Sequence, residues 1–354
     1  MRAREDQAPY FAGPIVDWLM AGGGSLALFL FLLPSGRLAQ SGGAAITALS
    51  AWSLSWLVNG AHFAATDYRL YRSRETMAQY PLTAAVVPAV VLAGVAASLR
   101  YPAEIAPYFI KLYLIWSPYH YSGQTKGLTQ LYARRAGFDP GPRAWTALSG
   151  FVYGTFFVSA ARAEARIDRP DFFGVPYPVL GVPSWMAHAG EAFVALCAVA
   201  FLYYALAWAR GRRRLPPAII LVPAAAQLVW FVPGRTSADF LALIPFFHGL
   251  QYLLVAWYMQ MQERLAEDRG KPSPARLSRE TAWWGACNLA GYGVLFWVLP
   301  QALGAAVGAP SALVVPVAIA GVQVHHFFVD GVIWKLRNPK VRSPMLAPLG
   351  MAAA

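Results

Sequence analysis

The sequence predicts an all-α, polytopic integral membrane protein, with about ten transmembrane helices in a single domain that covers residues 1–354. Its residues are 57% hydrophobic and only 13% charged, whereas a soluble globular protein carries about 25% charged residues. Several apolar segments reach the roughly 20 residues that a helix needs to cross a bilayer. Because hydrocarbon offers no water to satisfy backbone groups, such segments are expected to be helical.

Ten apolar segments are predicted to be membrane spans. They cover residues 14–34, 43–65, 82–99, 103–124, 143–161, 184–209, 216–233, 238–260, 282–304 and 311–334. The third span is rich in small residues, which suits close helix packing. The fourth is unusually aromatic and polar for a span, with Tyr108, Lys111, Tyr113, Trp116, Tyr119, His120 and Tyr121.

Basic residues are concentrated in the loops that follow even-numbered spans, and the other loops are nearly neutral. The basic loops carry Arg69, Arg72, Arg74, Lys126, Arg134, Arg135, Arg143, Arg210, Arg212, Arg213, Arg214, Arg264, Arg269, Lys271, Arg276, Arg279, Lys335, Arg337, Lys340 and Arg342. By the positive-inside rule, both termini are cytoplasmic. We expect a multi-pass protein of a bacterial-type inner membrane. Topology thus explains the net charge of +12, and no nucleic-acid partner is expected.

Histidines recur at one predicted depth of the bilayer. His62, His120 and His248 lie on the second, fourth and eighth spans, and the tenth carries the doublet His325-His326. These four spans run in the same predicted direction and place their histidines in the inner half of the bilayer. Polar groups at such depth usually face a cavity or a metal, and imidazole is the commonest metal ligand. We therefore predict that at least three of these histidines share a metal ion.

Asp330 follows His326 by four residues, so both side chains lie on one face of a helix, where the carboxylate would orient a ligand. Cys197 and Cys287 lie in apolar segments, and no thiolate site or disulfide framework is expected. Neutral imidazoles without thiolates suit iron, zinc or copper. An axial pair of histidines on facing helices could instead bind haem b.

Tyrosines close to the histidines are candidates for positioning oxygen or substrate, namely Tyr119, Tyr121 and Tyr252. Other aromatic residues nearby could line a pocket for a long apolar substrate, although packing between helices is their commoner role. They are Trp116, Phe246, Phe247, Phe327 and Phe328.

Four short patches resemble the Brp/Blh family of bacterial β-carotene 15,15′-dioxygenases. The patches are His62-Phe-Ala-Ala-Thr-Asp67, Phe247-His248-Gly, His325-His326-Phe-Phe-Val-Asp330 and, by position alone, His120. The resemblance implies a multi-span fold that holds iron by four histidines on different helices. It favours His325 as the ligand of the tenth span, because His325 and Asp330 repeat the five-residue separation of His62 and Asp67. The chain lacks the family's Pro-His-Gly motif, and Gln251-Tyr252 replaces an expected second histidine.

Three functions are open at this point. The first is a non-haem iron oxygenase of the membrane, acting on an apolar lipid or isoprenoid, with an electron-donor protein as a potential partner. Iron is the expected metal, and haem, zinc and copper are alternatives. The second is a haem-b-binding or electron-transfer subunit. The third is a proton-coupled transporter in which buried histidine and aspartate relay protons, although no inverted repeat is evident.

Overall fold

A computed structural model of the chain describes residues 9–32, 45–165, 170–236, 238–267 and 273–349. Helices dominate these ranges, and the all-α polytopic prediction is confirmed. Strands within the described ranges are limited to one antiparallel pair, Asp171–Phe172 (β1) and Val175–Pro176 (β2), in the connection after the fifth predicted span.

The α-helices are α1 (Pro14–Trp18), α2 (Gly24–Leu32), α3 (Ala45–Tyr71), α4 (Arg74–Gln79), α5 (Val87–Arg100), α6 (Ala106–Arg135), α7 (Pro142–Glu164), α8 (Trp185–Arg212), α9 (Val222–Phe231), α10 (Ala238–Glu267), α11 (Pro274–Gly293), α12 (Leu299–Val307), α13 (Ser311–Ile333) and α14 (Pro339–Leu346). Turns of π-helix cover Leu19–Gly23, Leu82–Val86 and Val294–Val298, and 3-10 turns cover Ala218–Ile220 and Gly234–Thr236. The first π turn connects α1 to α2, the second precedes α5, and the third connects α11 to α12.

Each predicted span coincides with helix in the described ranges, while the span ends at residues 33–34 and 43–44 lie outside those ranges. Seven helical segments are long and apolar enough to cross a membrane: Pro14–Phe31, Leu82–Arg100, Pro142–Glu164, Trp185–Arg212, Phe240–Glu267, Pro274–Val307 and Ser311–Ile333. The helices α3 and α6 do not meet this standard within the described residues, and Ala218–Phe231 is a shorter apolar helix. A multi-pass membrane protein is thus shown, whereas the count of ten spans and the cytoplasmic termini stay predictions.

Several helices are longer than the predicted spans. The helix α6 continues from the predicted end at residue 124 to Arg135, and α10 continues from residue 260 to Glu267. The helix α11 begins at Pro274 rather than at residue 282. The Ser273 side chain caps the first turn of this helix. The added turns are polar. Hydrophobicity marks the depth of the hydrocarbon layer, whereas the caps and the packing determine where a helix ends.

The helices α3, α6, α10 and α13 form the centre of the bundle. The helix α13 packs against α3, α5 and α6, and α10 packs along α3. In the apolar 18-residue window of Ser311–Ile333, 67% of the residues are buried inside the protein, compared with 6% in that of Pro274–Val307. The polar side chains of the four central helices therefore face one another rather than the surrounding lipid.

A break in the first span joins it to α10. Gly22 has a φ of 135°, which glycine adopts far more readily than residues with a Cβ. A Cβ at Gly22 would lie 2.5 Å from the Cβ of Ala226. At this break, the carbonyl of Ala21 accepts a hydrogen bond of 2.8 Å from Nε2 of Gln251. The kink therefore holds α10 in place one turn after His248.

Candidate metal centre

Four histidines meet at the centre of the bundle, one each from α3, α6, α10 and α13. Nε2 of His326 lies 3.1 Å from Nε2 of His62 and 3.2 Å from Nε2 of His120. The ring centroid of His248 lies 5.1 Å from that of His62 and 5.2 Å from that of His120. The structure thus brings together four of the five predicted histidines.

Three of the histidines offer ring nitrogens that could hold one metal ion. Nitrogens that bind a zinc-sized ion at about 2.0–2.1 Å lie about 3.0–3.4 Å from each other. His62, His248 and His326 each offer a ring nitrogen, and these nitrogens lie within 4.8 Å of one another. Nε2 of His326 is within hydrogen-bond distance of Nε2 of both His62 and His120. Both ring nitrogens of His248 and Nδ1 of His326 are buried and have no hydrogen-bond partner in the described part of the chain. A bound cation accounts for one of the two unpartnered nitrogens of His248, because such atoms are costly to bury.

Asp330 lies on the same side as the coordinating nitrogens. Its Oδ2 is 3.6 Å from Nε2 of His120 and 3.9 Å from Nε2 of His326. The predicted pairing of His326 and Asp330 on one helix face is therefore confirmed. The carboxylate faces Nε2 rather than the outer ring nitrogen, so it can bind the ion itself as well as orient a ligand. His120, His326 and Asp330 form a second group with potential ligand atoms close together.

His325 lies outside the cluster. Its Nε2 is 3.1 Å from the Tyr71 hydroxyl, and its Nδ1 is 3.3 Å from Oδ1 of Asp67. Consecutive residues of a helix point about 100° apart, so only one member of the doublet can face the cluster. The expectation that His325 is the ligand is therefore wrong for this geometry. His326 faces the other histidines, and Asp67 pairs with His325.

Two side chains hold the Asp330 carboxylate in position. Trp334 donates a hydrogen bond of 3.0 Å from Nε1 to Oδ1 of Asp330. The Thr66 hydroxyl lies 2.6 Å from the Tyr252 hydroxyl and 3.5 Å from Oδ1 of Asp330. Neither Thr66 nor Trp334 was predicted from the sequence. Thr66 follows His62 by four positions and Trp334 follows Asp330 by four, and this helical spacing is the signal that would have found them.

The three predicted tyrosines occupy different positions around the cluster. The ring of Tyr121 stacks on His248, with centroids 3.9 Å apart. The ring centroid of Tyr252 lies 5.1 Å from that of His62. Tyr119 is 48% exposed and packs against Tyr153. Tyr121 and Tyr252 therefore contact the cluster directly, while Tyr119 lies at the outer surface of α6.

Two glutamines fix the turn of α10 that carries His248. Nε2 of Gln124 lies 3.0 Å from the backbone carbonyl of His248 and 3.3 Å from Oε1 of Gln251. Because Gln251 also bonds to Ala21, this network connects α6, α10 and the kink of the first span. The histidine of α10 is thus positioned by hydrogen bonds that reach two other helices.

An apolar pocket of about 510 Å³ adjoins the cluster between α6, α10, α13 and α14. His120 and Asp330 belong to its wall, together with Trp116, Tyr119, Leu128, Leu131, Tyr252, Val255, Phe327, Phe328, Val332, Trp334, Leu336, Val341 and Met345. Its volume and lining are typical of small-molecule sites. Three of the predicted aromatic residues and two of the tyrosines line this pocket, whereas Phe246 and Phe247 pack in a separate core around Phe240.

Replacing Thr66 with valine is expected to lower the affinity for the metal by about tenfold or more, the usual cost of losing an outer-shell hydrogen bond. Valine keeps the shape and removes the hydroxyl beside Asp330 and Tyr252. Competition with a chromophoric chelator measures the effect. Thr129→Val is the matched control, because Thr129 is also buried in the bundle, nine residues beyond His120 on α6. Equal losses in both variants would argue against a role for the hydroxyl at the centre.

Comparisons with protein families, curated proteins and solved structures gave no match to this chain. The resemblance to the Brp/Blh family therefore stays a prediction from the residues quoted above. The four histidines and Asp330 form a candidate metal centre on their geometry alone.

Proposed function

We propose that the chain is a membrane oxygenase in which four histidines and Asp330 hold a non-haem iron ion beside an apolar substrate pocket. The observation that carries the proposal is the convergence of His120, His326 and Asp330, because His120 and Asp330 also line this pocket. These three of the five proposed ligands are the two imidazoles and one carboxylate typical of non-haem Fe(II) oxygenases, and five ligands leave one position of an octahedral ion open. When bound, the ion would supply the activation of oxygen, which side chains alone do not provide.

The residues around the ion divide into a rear wall and a reactive face. His120 and Asp330 line the pocket, whereas His62, His248 and His326 lie behind them. The substrate therefore approaches on the side of His120. The Phe327 ring packs 4.8 Å from the His120 ring, between centroids, and helps to exclude water from this face.

The geometry disfavours haem. Two axial histidines of a haem stand on opposite sides of a flat macrocycle. Here Nε2 atoms from three helices converge, and those of His62 and His120 both lie within 3.2 Å of Nε2 of His326. These contacts leave no slot for a porphyrin between the rings. Zinc is the main competitor of iron, because imidazoles bind it equally well, and metal analysis separates the two.

The substrate class follows from the setting of the pocket. An apolar cavity within a membrane bundle suits a lipid or isoprenoid drawn from the bilayer, in keeping with the Brp/Blh resemblance. A dioxygenase that places both oxygen atoms in the product needs no outside electrons. A monooxygenase reduces one oxygen atom to water and would need an electron-donor protein. The proposed location is a bacterial-type inner membrane.

The test is incorporation of labelled oxygen. The chain, reconstituted with Fe(II) in liposomes that contain a bacterial lipid extract, is incubated with ¹⁸O₂, and the lipids are examined by mass spectrometry. We expect a labelled product that is absent with His326→Ala. A chain that purifies with zinc and yields no labelled product in this assay would overturn the oxygenase proposal.

A further inference from the structure

The substrate pocket opens sideways between α6 and α13. Gly123 of α6 and Gly331 of α13 both line the pocket and are exposed. A Cβ at Gly331 would meet no atom within 4 Å, and a Cβ at Gly123 would meet only the Tyr153 hydroxyl, at 3.8 Å. The absence of side chains at these two positions leaves a gap between the helices. Because this gap lies on the outside of the bundle, it connects the pocket with the lipid.

Lys335 lies at one end of this gap. It follows Gly331 by four positions, lines the pocket and is exposed. Two other basic residues form ion pairs, Lys340 with Glu75 at 2.6 Å and Arg69 with Glu263 at 3.2 Å. Within the described ranges, no acidic side chain forms an ion pair with Lys335. The pocket therefore has a cation at its edge that is available to a ligand.

The remainder of the pocket is long and apolar. It follows α6 from Trp116 to Leu131, which is about 22 Å at 1.5 Å per residue. Lys335 lies just beyond the end of α13, five residues after Asp330, and both residues line the pocket. A ligand with a charged group at Lys335 therefore passes the metal-binding face with its apolar part.

We propose that the pocket takes a single-chain amphiphile with an anionic headgroup, such as a long-chain carboxylic acid. The molecule enters from the bilayer between α6 and α13, and its headgroup pairs with Lys335. This inference rests on the proposed function, because it names the substrate class of the same site. The binding step itself needs no metal, so it can be tested separately from the chemistry.

Equilibrium binding of radiolabelled oleic acid and oleyl alcohol to the purified chain tests the role of Lys335. The two probes share one apolar chain and differ in headgroup charge. We expect the acid to bind about fivefold more tightly, the usual scale of an ion pair that is partly exposed. Lys335→Gln is expected to abolish this preference and leave binding of the alcohol unchanged. Equal binding of the two probes, or a preference that survives in Lys335→Gln, would overturn the assignment of the headgroup.

A second pair of variants tests the lateral opening. Gly331→Leu places a side chain in the gap, where a Cβ meets no atom within 4 Å, and it is expected to slow association of both probes by about tenfold, since a filled gap narrows the route from the bilayer. Gly285→Leu on α11 is the control, because a Cβ there also meets no atom within 4 Å. An unchanged association rate in Gly331→Leu would refute the entry route.

Metal content, measured on the same samples, keeps the two proposals apart. A chain that holds its metal and shows no preference for the acid contradicts the anionic substrate alone. A chain that prefers the acid and contains no metal supports the binding inference and contradicts the proposed oxygenase.

Discussion

His326→Ala is expected to abolish metal binding, whereas the same replacement of its neighbour His325 leaves the metal content unchanged. Nε2 of His326 lies beside Nε2 of both His62 and His120, and His326 belongs to both groups of potential ligands. Its removal takes away the ligand that connects these groups. Loss of an outer-shell partner alone costs 10–100-fold in affinity, so we expect metal in the purified variant to fall below about a tenth of the wild-type content.

The doublet provides its own control. His325 and His326 are the same residue type on the same turn of α13, but the side chain of His325 bonds to Tyr71 and Asp67. Elemental analysis of the two purified variants measures the difference directly. Metal loss confined to His325→Ala would contradict the assignment of His326 as the ligand. Equal losses, accompanied by equal falls in melting temperature, would show a folding defect rather than a missing ligand.

Arg135→Lys is expected to destabilise the protein by about 3 kcal/mol or more, because several charge-assisted hydrogen bonds would be lost at once. Arg135 is buried, and it donates to the carbonyls of Pro9 at 3.0 Å, Tyr10 at 2.9 Å and Met345 at 2.7 Å. The guanidinium therefore connects segments from near both ends of the chain to α6. A lysine ammonium is a point charge on a flexible stem and cannot reproduce this planar set of donors.

The effect also reaches the substrate pocket. Met345 and Val341 of α14 form part of its wall, and Arg135 holds the carbonyl of Met345. An apparent melting temperature in detergent measures the loss, and we expect a fall of about 6 °C at roughly 2 °C per kcal/mol. Arg134→Lys is the matched control, because Arg134 is the adjacent residue and is exposed. Equal melting temperatures for the two variants would contradict the role given to Arg135.

The helical architecture was largely predictable because its physical basis is local. Long apolar segments with few charges can satisfy their backbone only as helices in a bilayer, and each predicted span coincides with helix. The ends of α6 and α11 were missed, because polar turns continue a helix beyond the hydrocarbon layer. The kink at Gly22 was also missed, since its cause is close packing against Ala226, which depends on a distant part of the chain.

Most residues of the site were predictable from the sequence, but the face of α13 that points to the site was not. His62, His120 and His248 were predicted from their common depth on parallel helices, because polar groups are costly to expose to lipid and therefore cluster. The choice between His325 and His326 depends on the rotation of α13 about its axis, which the sequence does not give. The five-residue spacing to Asp330 favoured His325, but a straight helix turns about 140° over five residues, so Asp330 lies on the face of His326. The sequence also contained no sign that Asp67 would pair with His325, a contact that depends on how α3 and α13 pack.

The most direct test of the metal centre is elemental analysis, combined with an absorption spectrum, of the wild-type chain purified in detergent. The proposed centre predicts about one iron per chain, as a single four-histidine, one-carboxylate site requires, and no Soret band. A chain that contains neither iron nor any other metal, or one with a Soret band from bound haem, would contradict it.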